Sequence, residues 1–247
     1  MTILFAPSEG KKSGGTLPPI DKDAFCFPNL YSYREEVIKK YNNFLHNASN
    51  EELKKLFGVK DEKLIEHYKT DIFALNSMKA VERYDGVAYS YLGYENLSEK
   101  AKQYIDNNLI IFSNLFGPIC AKDRVPEYKL KQAEKIGEFA PEKFYKEHFS
   151  SELDLYLEKN GPIVDLRAGF YDKFYKIKAP YITMKFLKNG KTVSHWAKAY
   201  RGIILKEMAK YSIMDEHSLL AMDIENLSIV EIKEIKNKKE IVYEILS

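Results

Sequence analysis

Cysteine is scarce in this chain: 247 residues hold only Cys26 and Cys120. The two are far apart and neither belongs to a Cys-x-x-Cys pair, which argues against a disulfide framework and for a reducing, cytoplasmic setting. Both are expected to be inert thiols, a redox role being the alternative. No stretch approaches the roughly 18 consecutive apolar residues of a membrane span, so no membrane partner is expected. The first ten residues meet Pro7 and Glu9 too early to form a signal-peptide apolar region. His-Glu-x-x-His, a zinc-type cysteine set and a calcium loop are all missing, so no metal or cofactor is expected. His46, His67, His148 and His217 are accordingly read as structural. The Walker spacing G-x-x-x-x-G-K-[ST] is missing too, which counts against a nucleoside triphosphatase. With no internal repeat, low-complexity tract or linker, residues 1–247 read as one domain.

Core material, by contrast, is plentiful. Hydrophobic residues make up 45% of the chain and aromatic residues 13%, enough for one large core at this length. The net charge of +2 conceals an uneven distribution. Residues 167–210 carry eleven Lys and Arg against only Asp172 and Glu207, a local +9, whereas 211–247 carry −4. Such an excess is a candidate for polyanion binding, a solvated face being the alternative. Binding is favoured because Arg167, Lys198 and Arg201 sit among small and aromatic residues rather than on a plain polar face.

Thr2–Ala6 reads as a buried strand ended by Pro7, and Ser8–Pro19 as a loop rich in Gly, Ser, Lys and Pro. Helical periodicity covers about 33–46. A second helix opens at the Ser49 cap and stops near Gly58, and a third runs from Asp61 to about Asn76. Met78–Tyr84 reads as a strand before an Asp85-Gly86 turn, and Ser98 caps a helix to about Asn107. Leu109–Phe112 is a β-type run. Pro141 opens a helix to about Phe149, and Ser151 caps a separate one ending at Asn160-Gly161. Ile163–Leu166 is a strand, and Tyr181–Leu187 with Lys191–His195 forms a hairpin around Asn189-Gly190. Ala197–Tyr211 is a helix, and 229–235 with 240–245 a terminal hairpin. The sum is a mixed α/β domain with a mixed central sheet and flanking helices.

Chemistry concentrates in a few places. Ser8, Glu9, Gly10 and Lys11 lie beyond the end of a strand, where α/β proteins place ligand sites. Gly10, Gly14 and Gly15 would let backbone amides approach a phosphate whose charge Lys11 or Lys12 holds; the bare sequence favours a flexible surface loop. Lys198 and Arg201 share one side of a helix. His195 precedes that helix near its positive end, beside the sole Trp, Trp196. Asp165 and Arg167 are either a simple ion pair or part of a site. Phe170, Tyr171, Phe174 and Tyr175 read as core rather than as a base-stacking platform. Gly117, within Leu115–Ile119, has the apolar-Gly-apolar character of a helix-hairpin-helix turn, which presents N–H groups to a phosphate. A buried turn is the alternative, and the β-type run before it weighs against helices.

Several of these segments together resemble the YaaA family of peroxide stress proteins. Ile3–Lys11 is similar to the branch reading P-S-E-G-K; the better-known branch reads P-A-K-T, from which Glu9 departs. Asp85-Gly86-Val87-Ala88-Tyr89 resembles G-D-V-Y with Gly and Asp exchanged. Ser113–Gly117 resembles an S-G-L-Y-G turn, and Pro126–Leu130 a P-Y-R-L run. Asp165–Ala168 stands where the family has N-L-A-S, and Ser194–Gly202 resembles S-F-Y-A-K-K-A-R-G. The likeness runs in the family's order from Ile3 to about Gly202. It implies a single α/β fold of its own kind, with a positively charged cleft and a helix-hairpin-helix-like element. It also implies binding to double-stranded and bent DNA, and protection against peroxide by restraining iron-driven damage. The resemblance turns the reading of the loop after the first strand from a flexible surface segment to a site.

Two functions follow as expectations. In the first, a DNA-binding stress protein contacts the phosphates of double-stranded DNA through Ser8, Lys11, Gly117, Arg167, Lys198 and Arg201. In the second, an enzyme acts on a nucleotide or other small anionic ligand, with Glu9, Asp165 and His195 as acid–base groups. A deep pocket enclosing the acids would favour the enzyme, and an open groove about 20 Å long would favour DNA.

Overall fold

The computed structural model describes residues 1–246, apart from the side chain of His195. Strand β1 (Thr2–Phe5) is buried throughout, as an apolar run inside a covered sheet should be. A short β2 (Gly10–Lys11) leads to helices α1 (Tyr31–Asn47), α2 (Asn50–Phe57) and α3 (Glu62–Tyr68). Ser49 closes a capping box with Glu52, and Gly58 ends α2 in the left-handed conformation. Helix α3 stops well short of Asn76. Thr70 binds the His67 carbonyl and Asp71 caps a separate 3-10 turn, so two side chains compete for backbone groups that a longer helix would need.

The stretch expected as one strand over Met78–Tyr84 divides into β3 (Ser77–Lys79), α4 (Ala80–Arg83) and β4 (Tyr84–Asp85), followed by α5 (Val87–Leu92). Helix α6 (Glu99–Asn108) is capped by Ser98 and leads into β5 (Leu109–Ser113), β6 (Gly117–Cys120) and β7 (Arg124–Pro126). Helix α7 (Pro141–Lys159) is one helix rather than two. Tyr145, Phe149, Leu153 and Leu157 form a buried stripe that runs unbroken past Ser151. The remainder is β8 (Ile163–Leu166), β9 (Tyr181–Lys188), β10 (Lys191–Thr192), α8 (His195–Tyr211), α9 (Glu216–Ala221), β11 (Leu227–Ile235) and β12 (Lys238–Ile245).

These strands build an eight-stranded mixed sheet in the order β11-β12-β9-β8-β1-β5-β6, with β10 pairing to β9. The run β12, β9, β8, β1 and β5 is parallel, and β6, β10 and β11 are antiparallel to their neighbours. Neighbouring β1 and β8 continue towards opposite sides of the sheet, β1 eventually to β5 and β8 to β9. Such a switch point leaves a crevice at the carboxyl ends of the strands. One hydrophobic core joins the sheet to α1, α2 and α5 through α8. The result is a single α/β domain. No helix among the described residues is long and apolar enough to cross a membrane.

The expectation of two unpaired thiols is corrected. Cys26 and Cys120 are joined as a disulfide, their Cα atoms 5.9 Å apart. Their separation of 94 residues in sequence conceals nearness in space. The 21–30 segment folds back on the body, with Phe25 packed against Phe116 and Phe27 against Tyr156.

Candidate functional site

Beyond Pro7 the chain turns so that β2 pairs with β4. Gly10 permits this approach, since a Cβ there would stand 2.5 Å from the Asp85 carbonyl oxygen. The Ser8 hydroxyl donates to that same carbonyl at 2.5 Å. Gly86 lies directly against Ser8 with φ near 152°, a conformation suited to glycine alone. Helix α8 then crosses α5 so closely that a Cβ on Gly202 would overlap the Ala88 carbonyl. This backbone-to-helix contact sets Lys198 and Arg201, one helical turn apart, against the loop that Ser8 and Gly86 define.

A cavity of about 520 Å³ results, with Ser8, Glu9, Gly86, Tyr171, Lys198 and Arg201 among its walls and Phe5 and Leu166 contributed by β1 and β8. This size suits a small molecule or the reacting part of a larger one. Glu9 is held in place, its carboxylate accepting from the Gln132 N–H at 3.2 Å and its carbonyl from Lys129 at 3.1 Å. Tyr89 donates to the Ala6 carbonyl at 2.9 Å and stiffens the loop from below. Arg201 is only partly exposed, and its guanidinium makes no hydrogen bond or ion pair among the described residues. Burial pushes its pKa down, and the more distant Asp165 offsets this in part. Lys198 is exposed and likewise without a partner among the described residues. A partly desolvated guanidinium lacking acceptors, with an ammonium one helical turn away, has donors and charge to offer an anion.

Ser8, Glu9, Lys198 and Arg201 thus converge, but other expected residues do not join them. Arg167 and Asp165 form a buried two-point pair at 2.8 and 3.0 Å. Arg167 also donates to the carbonyls of Tyr171 and Tyr175, at 3.2 and 3.1 Å, and to Asp172 at 3.4 Å. All of its donors are used, so it ties the 168–175 turn to β8 and has no capacity for a ligand. Lys11 lies away from the wall, its Nζ 4.1 Å from the centre of the Tyr128 ring and donating to the Ser8 carbonyl at 3.3 Å. Burial, aided by Lys129, lowers its pKa to about 7. His195 opens α8, but its side chain lies outside the described residues.

Gly117 needs a correction of kind. The segments around Leu115–Ile119 are strands of a buried β-hairpin, not helices. Arg34 donates to the Phe116 and Pro118 carbonyls, Tyr145 donates to that of Leu115, and the Ser113 hydroxyl accepts the Phe116 N–H. These groups all face inward, so the turn presents nothing to a phosphate. The positive 167–210 segment is also distributed, over the 169–173 turn, β9, β10 and α8. Part of it is neutralised locally, Lys178 by Asp154 and Lys210 by Glu207. Gln132, Tyr89 and Tyr171 were not legible as site residues, and only the Asp85-Gly86 turn signal and the motif ending at Gly202 hinted at what draws the walls together. Another depression, of about 530 Å³ beside Gly14, Gly15, His67 and Glu127, gathers none of the converging residues.

A family model described as peroxide stress protein YaaA matches residues 1–233. An uncharacterized protein of Campylobacter jejuni is 50% identical over 246 residues, spanning 100% of both chains. A UPF0246 protein of Corynebacterium glutamicum is 28% identical across 97% of this chain and 98% of its own. One of Streptomyces coelicolor is 27% identical across 84% and 82%. The cavity walls come largely from the segments that carry the family likeness, and the chain belongs to the YaaA family of peroxide stress proteins.

Proposed function

We propose that this protein serves the peroxide stress response by gripping phosphates of double-stranded DNA at the cavity between β1, β8 and α8. Arg201 carries the reading: a partly desolvated guanidinium on a cavity wall, without an acceptor among the described residues and with exposed Lys198 beside it. An unpaired cation withdrawn from water destabilises a fold, so a ligand that completes it accounts for its presence. Phosphate fits, because arginine grips it through two parallel bonds and lysine adds a point charge. Fluorescence anisotropy with a labelled duplex in rising salt tests it. Two phosphate contacts predict log K falling against log salt with a slope of about −1.8. A flat response, or no binding at low salt, overturns the reading.

Enclosure of the site and the position of Glu9 favour a second reading, an enzyme acting on a nucleotide or other small phosphorylated molecule with Glu9 as its acid–base group. Turnover of such a compound by the wild type, lost in Glu9→Gln, would select it over the first.

A further inference from the structure

The cysteine pair stands apart from the cavity, since neither residue lines it, and its surroundings are unusual. Asp123, at the turn after β6, accepts the backbone N–H of Cys26 at 3.0 Å through one carboxylate oxygen and that of Cys120 at 2.9 Å through the other. One side chain therefore holds both cysteine backbones, independently of any bond between the sulfurs. The neighbours anchor the same geometry. Phe25 packs on Phe116 and on the Arg34 guanidinium, whose centre lies 4.7 Å from its ring, and Phe27 packs edge-on against Tyr156. None of these contacts involves a sulfur atom, so none depends on the bond between them. Cys26 is partly exposed, whereas Cys120 is 7% exposed on β6.

We propose that Cys26 and Cys120 are a reversible oxidation site, a dithiol that a hydroperoxide converts into the disulfide. The Cys26 thiolate attacks the terminal peroxide oxygen and breaks the O–O bond. This gives a sulfenic acid and, for hydrogen peroxide, one water once the leaving hydroxide is protonated. The Cys120 thiolate then displaces the sulfenic oxygen, forming the S–S bond and releasing a second water. Two thiols and one hydrogen peroxide become one disulfide and two waters; the two sulfurs lose two electrons in all and the peroxide gains them. Order follows from access, because the partly exposed residue, Cys26, meets the oxidant and the buried Cys120 resolves it. Asp123 acts as a positioning residue. Burial pushes its carboxyl up to about 6, an effect that Arg34, the two cysteine N–H groups and Lys122 offset in part, and each of its oxygens accepts from one cysteine backbone.

The test uses the full chain, reduced with dithiothreitol and freed of reductant. One equivalent of hydrogen peroxide should remove both alkylatable thiols with a mass loss of about 2 Da, and fresh dithiothreitol under native conditions should restore them. Once the sulfenic acid has formed, disulfide closure should be at least about ten-fold faster in the folded chain than in the same chain in urea, the advantage of held proximity. Cys120→Ser should trap a sulfenic acid on Cys26 that dimedone labels, and Cys26→Ser should leave Cys120 largely unlabelled. Asp123→Asn should slow disulfide closure while sparing the first step, seen as sulfenic acid accumulating in an otherwise wild-type chain. Two thiols persisting after peroxide, or equal closure rates folded and unfolded, would overturn the proposal. So would a disulfide that native dithiothreitol cannot open.

Discussion

The cavity at β1 and β8 and the hairpin of β5 and β6 use the same materials, namely glycines, aromatic rings and an arginine. Around Gly117 the Arg34 guanidinium lies between the rings of Phe25 and Phe149 and donates to two hairpin carbonyls. Around Ser8 and Gly86 the Arg201 guanidinium meets no such acceptor among the described residues. The first arginine is a part of the frame, and the second keeps its donors unspent among the described residues. Arg167 sorts with Arg34, although its place beside β8 suggests the site. What distinguishes the two kinds is where the N–H groups end, which depends on folding and not on the neighbouring letters.

The largest effects should come from damaging the frame. Arg167→Met strands the Asp165 carboxylate in a buried position and should destabilise by about 3–5 kcal/mol. Gly117→Val should be as severe, costing roughly 3 kcal/mol or more. It places a β-branched residue at φ 68° with its Cβ 2.6 Å from the Tyr145 ring. Urea unfolding measures both, and a variant within about 1 kcal/mol of wild type would break the distinction between the regions.

Arg201→Met should do the opposite. Its stability should stay within about 1 kcal/mol of wild type, because a poorly solvated cation is removed and no internal bond is lost. Affinity for a DNA duplex should fall more than ten-fold, and Arg201→Lys should recover only part of it, since the two-point grip is gone. If Arg201→Met instead unfolds the protein as Arg167→Met does, Arg201 belongs to the frame.

A subtler contrast concerns Lys11, which the fold holds against the Tyr128 ring near the site rather than in it. Its pKa is lowered to about 7 in the folded chain from an ordinary 10.5. Between these values the unfolded chain holds a proton that the folded one lacks, so this group makes stability rise with pH from about 7 to about 10.5. Lys11→Met should flatten that rise, and the stability difference between variant and wild type should be largest at or below pH 7. A difference independent of pH would mean that Lys11 stays charged beneath the loop.

The sequence made the strands, the caps and the switch-point loop legible because each follows from local chemistry. Apolar runs gave β1 and β8, Ser49 and Ser98 gave helix starts, and Asn189-Gly190 gave a turn whose residues both have positive φ. It misread the 141–160 region because Ser151 suits a cap, while the continuous stripe through Phe149 and Leu153 decides for one helix. Half of the site was visible as well. Ser8 and Glu9 lie beyond the carboxyl end of β1, where sequence order alone can place a site, whereas Lys198 and Arg201 reach them through the close crossing of α8 and α5. Gln132 was not visible, because it reaches the site by a backbone N–H, which every residue but proline carries. The Cys26–Cys120 pairing was also hidden, since the docking of Phe25 and Phe27 and the Asp123 carboxylate bring those segments together, and none of this is local in sequence.

Glu9→Gln should have the smallest effect on the fold and yet separates the two readings of the site. The amide oxygen of glutamine can still accept the Gln132 N–H, so stability should change by no more than about 0.5 kcal/mol. What changes is one negative charge on the cavity wall. If the cavity only holds phosphate, that charge repels the ligand across several ångströms of partly solvated space. Its removal should then tighten duplex binding by roughly two- to five-fold, with the gain shrinking as salt rises. If Glu9 transfers a proton, binding of a small phosphorylated substrate should survive while turnover falls by about a hundred-fold or more. Parallel measurements of duplex affinity at two salt concentrations and of substrate turnover therefore give opposite signs for the same variant. An unchanged affinity together with no turnover in either protein would remove Glu9 from the site and leave Arg201 and Lys198 as its working groups.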